Sequence, residues 1–248
     1  MTMITLSEPL IDITQAFAGL TVFPNSSDVF VEPVARYRKH LHALISINLQ
    51  LINSNWLGTA HLLNRIEHYD GYLGDDTARA HSNYCKANWL SCALDQNSRY
   101  TLLADFDFFA LDSVNAQERF PDYQQQLAEQ YEAAEKNHHG SQSRYQRFGG
   151  LYAGKRFKPD EKDDANSEPN PLLNQLGGKA QDGNWTVNSS VEVVEDLIRG
   201  VVPRLMGIDD FHFIASASGF YYRKHSADEI LLFYSPSTRI AMHTFDWT

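Results

Sequence analysis

Hydrophobic and polar positions alternate most regularly in residues 43–51, where Ala43, Ile45, Ile47, Leu49 and Leu51 interleave with Ser46, Asn48 and Gln50. A period of two predicts a β-strand with one buried face, and only Leu44 breaks the alternation. In residues 57–69 the apolar positions Leu57, Leu62, Leu63, Ile66 and Tyr69 fall along one broad stripe, which predicts a helix ended by Gly71 and Gly74. Asp75 and Asp76 are placed to cap a second helix running to about Leu94, with Ala78, His81, Cys85, Trp89 and Cys92 on one face. A Leu- and Phe-rich strand is predicted for Arg99–Leu111. Pro121 suits a first helical turn, and Asp122–His139 reads as a polar, exposed helix with a narrow stripe of Tyr123, Leu127, Tyr131 and Ala134.

Phe148–Phe157 reads as a further strand. The charged segment Lys158–Pro171 has no large apolar side chain before its end and contains Pro159 and Pro169, which predicts a long polar loop. A short strand is expected at Trp185–Asn188, then a helix capped by Ser190 that carries Val191, Val194, Leu197, Ile198, Val201 and Val202 and ends near Pro203. Strands follow at Phe211–Ala215, Gly219–Arg223, Ile230–Tyr234 and Arg239–Phe245, the last two joined by the turn Ser235–Thr238 and therefore antiparallel. Strands clustered with hairpin-length connections predict an α+β fold, mainly antiparallel sheet with several packed helices and a long polar loop near 158–171. The chain reads as one α+β domain over 1–248, with a division into 1–157 and 172–248 at that loop as the alternative.

Composition adds to this picture. With 43% hydrophobic residues the 248-residue chain has the material for a substantial core. No apolar run approaches the roughly 18 residues of a membrane span, and Met1–Leu10 lacks the pattern of a signal peptide, so the cytoplasm is the expected compartment. Cys85 and Cys92, seven apart on one helix, would stand roughly 10 Å from each other, too far for a disulfide, and read as small buried residues. The 31 acidic against 21 basic residues give a formal net charge of −10, which disfavours nucleic acid and anionic membranes and favours a basic protein partner.

Candidate chemistry is sparse. Asp105-Phe106-Asp107 on the predicted strand would point two carboxylates from the same face, about 7 Å apart, an arrangement able to hold Mg²⁺ or Mn²⁺ against a phosphate. The ten histidines supply no zincin spacing: His61 and His68 lie seven apart, and the pairs His40/His42 and His138-His139 lack further ligands, so no metal site is expected. His81 one helical turn before Cys85 is the only hint of a reactive thiol. No Gly-x-Ser-x-Gly elbow, P-loop or dinucleotide fingerprint is present, and no cofactor is implied.

The C-terminal stretch is crowded with aromatics, of which alternation would expose about half. Tyr221, Tyr222, Tyr234 and Trp247, with the acids Asp228, Glu229 and Asp246, are the predicted partner-binding surface. The sequence therefore points to a non-enzymatic protein-binding inhibitor of bacterial type, such as an immunity protein or an antitoxin that neutralises a toxin by direct binding. A metal-dependent hydrolase or transferase using Asp105 and Asp107 is the alternative, and an oligomeric scaffold built on the aromatic sheet is a third.

Overall fold

The computed structural model describes residues 8–67, 72–114, 121–152 and 168–247. The alternating segment forms strand β3 (Leu41–Asn48), followed by a 3₁₀ turn at Leu49–Leu51. Leu44, the residue out of step, is the extra residue of a β-bulge: Ala43 pairs with Leu63 and Ile45 with Leu62 on the neighbouring strand β4 (Thr59–Arg65). Seven of the eight β3 residues are buried, so both faces are covered rather than the expected one.

Antiparallel sheet dominates, with twelve strands among the described residues. A seven-stranded sheet has the order β1-β7-β10-β11-β12-β5-β6, in which β1 is Leu10–Ile13, β5 Trp89–Leu94, β6 Tyr100–Leu102 and β7 Leu173–Leu176. The strands β10 (His212–Ala217), β11 (Glu229–Ser235) and β12 (Ile240–Asp246) match the sequence expectation, and β11 and β12 form the antiparallel hairpin predicted for them. A three-stranded sheet runs β2-β3-β4, with β2 at Leu20–Val22. The large sheet draws strands from both sides of the predicted 158–171 loop, of which 158–167 lies outside the described residues.

Helix is scarcer than expected. Among the described residues, α1 (Ser26–Val29) and α2 (Val34–Arg38) are a turn or so long, and only α3 (Pro121–Phe148) is extended. The helix expected at 57–69 is β4, whose residues Ala60–Arg65 are buried on both faces and so carry no alternation to mark a strand. Its predicted end, Tyr69 and Gly71, lies outside the described residues. The helix expected from Asp75 to Leu94 is a 3₁₀ segment, Asp75–Ala80, followed after a turn by β5. The strand expected over Arg99–Leu111 stops with β6 at Leu102. Phe148 ends α3, Leu151 makes an isolated bridge to Asn170, and 153–157 lie outside the described residues. Trp185 and Tyr221 sit in 3₁₀ turns rather than strands.

The helix expected after Ser190 is a hairpin of β8 (Glu192–Asp196) and β9 (Gly200–Arg204). Its turn has a local cause. The Asp196 carboxylate accepts hydrogen bonds from the amides of Ile198 and Arg199, both at 2.8 Å, and Gly200 supplies the φ of +76° that a side chain would resist. Valine at positions 193, 194, 201 and 202 suits strands better than the helix its spacing suggested.

Alternate residues of β11 and β12 go to two different cores. Ile230, Leu232, Tyr234, Ala241 and Phe245 face the cluster shared with β3 and β4. Leu231, Phe233, Ile240 and Met242 face a second cluster formed with Trp89, Trp185, Val191 and Val202, where the β8–β9 hairpin packs. The order of layers is thus the small sheet, the large sheet, the hairpin. This is why the C-terminal aromatics are not half exposed: the sheet has no open face there.

Polar side chains from the large sheet and from its β10–β11 connection close the edge of β4 that β3 leaves unpaired. The Tyr100 hydroxyl accepts from the His61 amide at 2.7 Å and donates to the His61 carbonyl at 3.0 Å. His243 Nε2–H donates to the same carbonyl at 2.9 Å. Arg223 donates to the carbonyls of Arg65 and Ile66 at 2.8 and 2.9 Å. Asn64 and Ser226 exchange hydrogen bonds between them, and Gly219 makes room, since a Cβ there would lie 2.2 Å from the Ser226 hydroxyl. Tyr100→Phe strands the buried His61 amide, and the expected loss is about 1–3 kcal/mol, read from the shift of the urea midpoint at unchanged slope.

Candidate functional site

Helix α3 lies over the outer face of the small sheet. Leu127, Tyr131 and Ala134, at helical steps of four and three, pack with Ile66 and Ala110. The Tyr123 side chain lies outside the described residues. Beyond Ala134 the packed stripe turns polar, through His138 and the buried Ser141 and Arg144, so the sequence reading stopped at His139 while the helix continues to Phe148.

Opposite this polar stripe stand His40 and His42, which the period of two sends to the same face as α3. The His42 Nε2–H donates to the Glu135 carboxylate at 2.6 Å. Its ring stacks on that of His138, with centroids 3.9 Å apart and planes 7° from parallel. Arg38 approaches Glu135 from the other side at 3.9 Å, and Phe23 meets the His138 ring edge-on. These groups line a cleft of about 360 Å³, whose apolar wall is Phe23, Pro24, Val34 and Leu41 and whose rim includes His139 and Gln142. That volume is within the range of small-molecule sites.

Burial holds both imidazoles neutral. His42 lies well below its ordinary pKa because it is desolvated, and the nearby cations Arg223 and Arg38 add to this. His138 is lowered chiefly by burial as well. Two coplanar stacked rings direct their in-plane lone pairs side by side rather than at one point, which suits hydrogen bonding and not chelation. Among the described residues no group of three or more His, Cys, Asp or Glu is arranged to hold a metal ion.

Deeper under α3 runs a second polar chain. The Glu67 carboxylate accepts from the Ala110 amide at 2.7 Å and from the Tyr131 hydroxyl at 3.4 Å. Burial raises Glu67 to about 7 despite these bonds and the charge of Arg65. His40 stacks on Phe109 at 4.3 Å and bonds Asp112 through Nε2 at 3.1 Å. In the sequence Glu67 carries no signal beyond lying beside His68.

The residues singled out by sequence are dispersed or covered. Asp105 precedes, and Asp107 lies within, the 3₁₀ turn Phe106–Phe108; both are exposed, and the strand face that was to align them is absent. Tyr222 and Tyr234 are buried, so neither belongs to a binding surface; the Tyr222 hydroxyl donates to the Leu172 carbonyl at 2.7 Å. Tyr221 and Trp247 are half-buried against the core, and the Arg65 guanidinium lies 4.7 Å from the Trp247 ring. The acids do gather: Glu229 pairs with Asp246 across β11 and β12, and the Asp228 amide bonds the Asp246 carbonyl. Burial, with the neighbouring Glu229 and Asp228, raises the Asp246 carboxyl. Cys85 and Cys92 are buried free thiols, as expected, but on a turn and a strand. Burial pushes the Cys85 thiol up to about 12, which opposes the reactive-thiol reading. No described helix is long and apolar enough to cross a membrane.

Of the cleft, one part was legible. Glu135, His138 and His139 stand at i, i+3 and i+4, a spacing that groups them on a helix; nothing in the sequence joins them to His42.

The buried histidines set the response to acid. His40, His61 and His243 are held down to about 4 from 6.5, mainly by burial. As pH falls from 6.5 toward 4 the unfolded chain takes up protons that the folded chain refuses, which removes on the order of 3 kcal/mol per imidazole. Glu67 acts in the opposite sense, stabilising the fold at low pH and losing that contribution as pH rises from 4.5 to about 7. Three imidazoles against one carboxyl contribute a net uptake of about two protons on unfolding near pH 5.5, and the depressed His42 and His138 add to it. Urea midpoints are therefore expected to fall steadily from pH 6.5 to pH 4; a flat or rising profile would contradict these assignments.

No family model matches the chain, and neither a curated protein nor a solved structure matches it.

Proposed function

We propose that this protein is a non-enzymatic inhibitor that works by binding, docking a basic protein partner as an immunity protein or an antitoxin docks its toxin. The observation that carries this reading is the tip of the β8–β9 hairpin, where Leu197 and Ile198 are 94% and 84% exposed. Two large aliphatic side chains held out to solvent by a fixed turn suit insertion into a partner's apolar pocket. Asp196, Asp209 and Asp210 line an open groove with Ile198, Arg199 and His212. Arg199 pairs with Asp196 at 2.8 Å, which leaves Asp209 and Asp210 as the groove's acids without an ion pair among the described residues.

Charge supplies the partner's sign. The formal net charge of −10, with Asp228, Glu229 and Asp246 gathered at the far end of the β11–β12 pair, attracts a cationic surface over longer range. In this reading the docking contact moves from the C-terminal aromatics, which the cores absorb, to the hairpin tip. Electrostatic attraction raises the association rate, and the apolar tip slows dissociation.

A tagged protein retrieved from its native cells is expected to retain a basic partner in stoichiometric amount. The Leu197→Asp, Ile198→Asp double variant should weaken that complex by roughly tenfold or more, equivalent to about 1.4 kcal/mol. The association rate should fall steeply with added salt, as screening shortens the reach of surface charge. An empty retrieval, or a complex indifferent to both the double substitution and salt, would remove the basis for this function.

A further inference from the structure

We propose that the cleft beneath α3 is a binding site for a small organic oxyanion, a carboxylate or a phosphate ester, held by Arg38 and His139 with its apolar body against Phe23 and Leu41. The site is separate from the hairpin tip and does not depend on the docking function.

Some charges in the cleft are already engaged. Glu135 brings the one carboxylate of the lining, and it is tied by the His42 Nε2–H at 2.6 Å and flanked by Arg38 at 3.9 Å. Arg38 has five N–H donors in a planar fork, and its side chain is 56% exposed, so its contact with Glu135 leaves donors facing the cleft mouth. His139, exposed on the next turn of the same rim, adds a second donor.

A second guanidinium lies outside the cleft lining, on a neighbouring pocket beside Ile66 and Ala134. Arg223 is 2% exposed and bonds only to the backbone carbonyls of Arg65 and Ile66, while its Nε has no hydrogen-bond partner. Among the described residues no carboxylate forms an ion pair with it. Its field reaches the cleft, since Arg223, His139 and Arg38 all act against positive charge on His42. A buried guanidinium without a carboxylate partner adds a positive field at His42 and His138, which low dielectric strengthens. An anion entering the mouth gains from the Arg38 guanidinium and a His139 hydrogen bond, whereas a cation would meet only a carboxylate that is already engaged.

The opposite wall sets the rest of the ligand. Phe23 and Leu41 offer apolar surface, and about 360 Å³ admits a small organic molecule in addition to its charged group. With its Nε2–H committed to Glu135, the neutral His42 ring has no donor left for an anion, so Arg38 and His139 make the polar contacts.

The test is a titration of isotope-labelled full-length protein with inorganic phosphate and, separately, with succinate, at constant pH and ionic strength, following the ring resonances of His42, His138 and His139. Saturable shifts are expected with at least one anion. Phosphate alone would point to a phosphate ester, succinate alone to a carboxylate, and both to the shared oxyanion. Arg38→Gln, at an exposed position, should leave the thermal midpoint unchanged and weaken binding at least tenfold. Arg204→Gln on β9, and the Leu197→Asp, Ile198→Asp variant, should bind as the wild type does. Shifts that never saturate with either anion, or an affinity untouched by Arg38→Gln, would overturn the proposal.

Discussion

The unpaired edge of β4 is the constraint on which the rest of the structure depends. A central position for this strand leaves backbone amides and carbonyls buried with no neighbouring strand to meet them, and each such group costs about 1–3 kcal/mol if left unmet. Tyr100 and His243 of the large sheet and Arg223 of its β10–β11 connection meet them instead. The two sheets are therefore joined by specific side-chain hydrogen bonds as well as by apolar packing. That polar seam fixes how the small sheet sits, and the small sheet carries the face on which α3 lies.

The same seam connects fold to site. Arg223 closes the β4 edge with its guanidinium, and this buried positive charge acts on His42 and His138. A lysine would supply the charge but not the fork that spans two successive carbonyls. On the far side of the molecule, the hairpin that covers the large sheet buries Val191 and Val202 in the second core and extends Leu197 and Ile198 into solvent. One element thus both completes a core and presents an apolar tip.

The legibility of the sequence followed burial. Strands β10 to β12 and their connecting turn were readable because apolar segments were separated by clear turn residues. Leu44 was visible as a fault in the alternation, and the structure makes that fault a bulge. Segments 57–69 and 75–94 misled because β4 and β5 are buried on both faces, and continuous burial removes the period of two. The hairpin misled because valines at helical spacing outweighed a turn whose cause, the Asp196 carboxylate, is local and small. The candidate sites were hardest to read. Tyr222 and Tyr234 were assigned to the surface on alternation alone, which cannot reveal that a second layer covers the sheet. His42 and Glu135 meet only because α3 crosses β3, a fact of topology that no local pattern encodes.

Native-state amide hydrogen exchange at His61 tests the central claim most directly. Its N–H points to no neighbouring strand and depends on the Tyr100 hydroxyl for its only described partner. If the seam holds the sheets together, this amide exchanges as slowly as those in the ladder between β3 and β4, through global unfolding. Exchange orders of magnitude faster than that ladder would mean that the β4 edge opens on its own, and that the seam does not fix the fold.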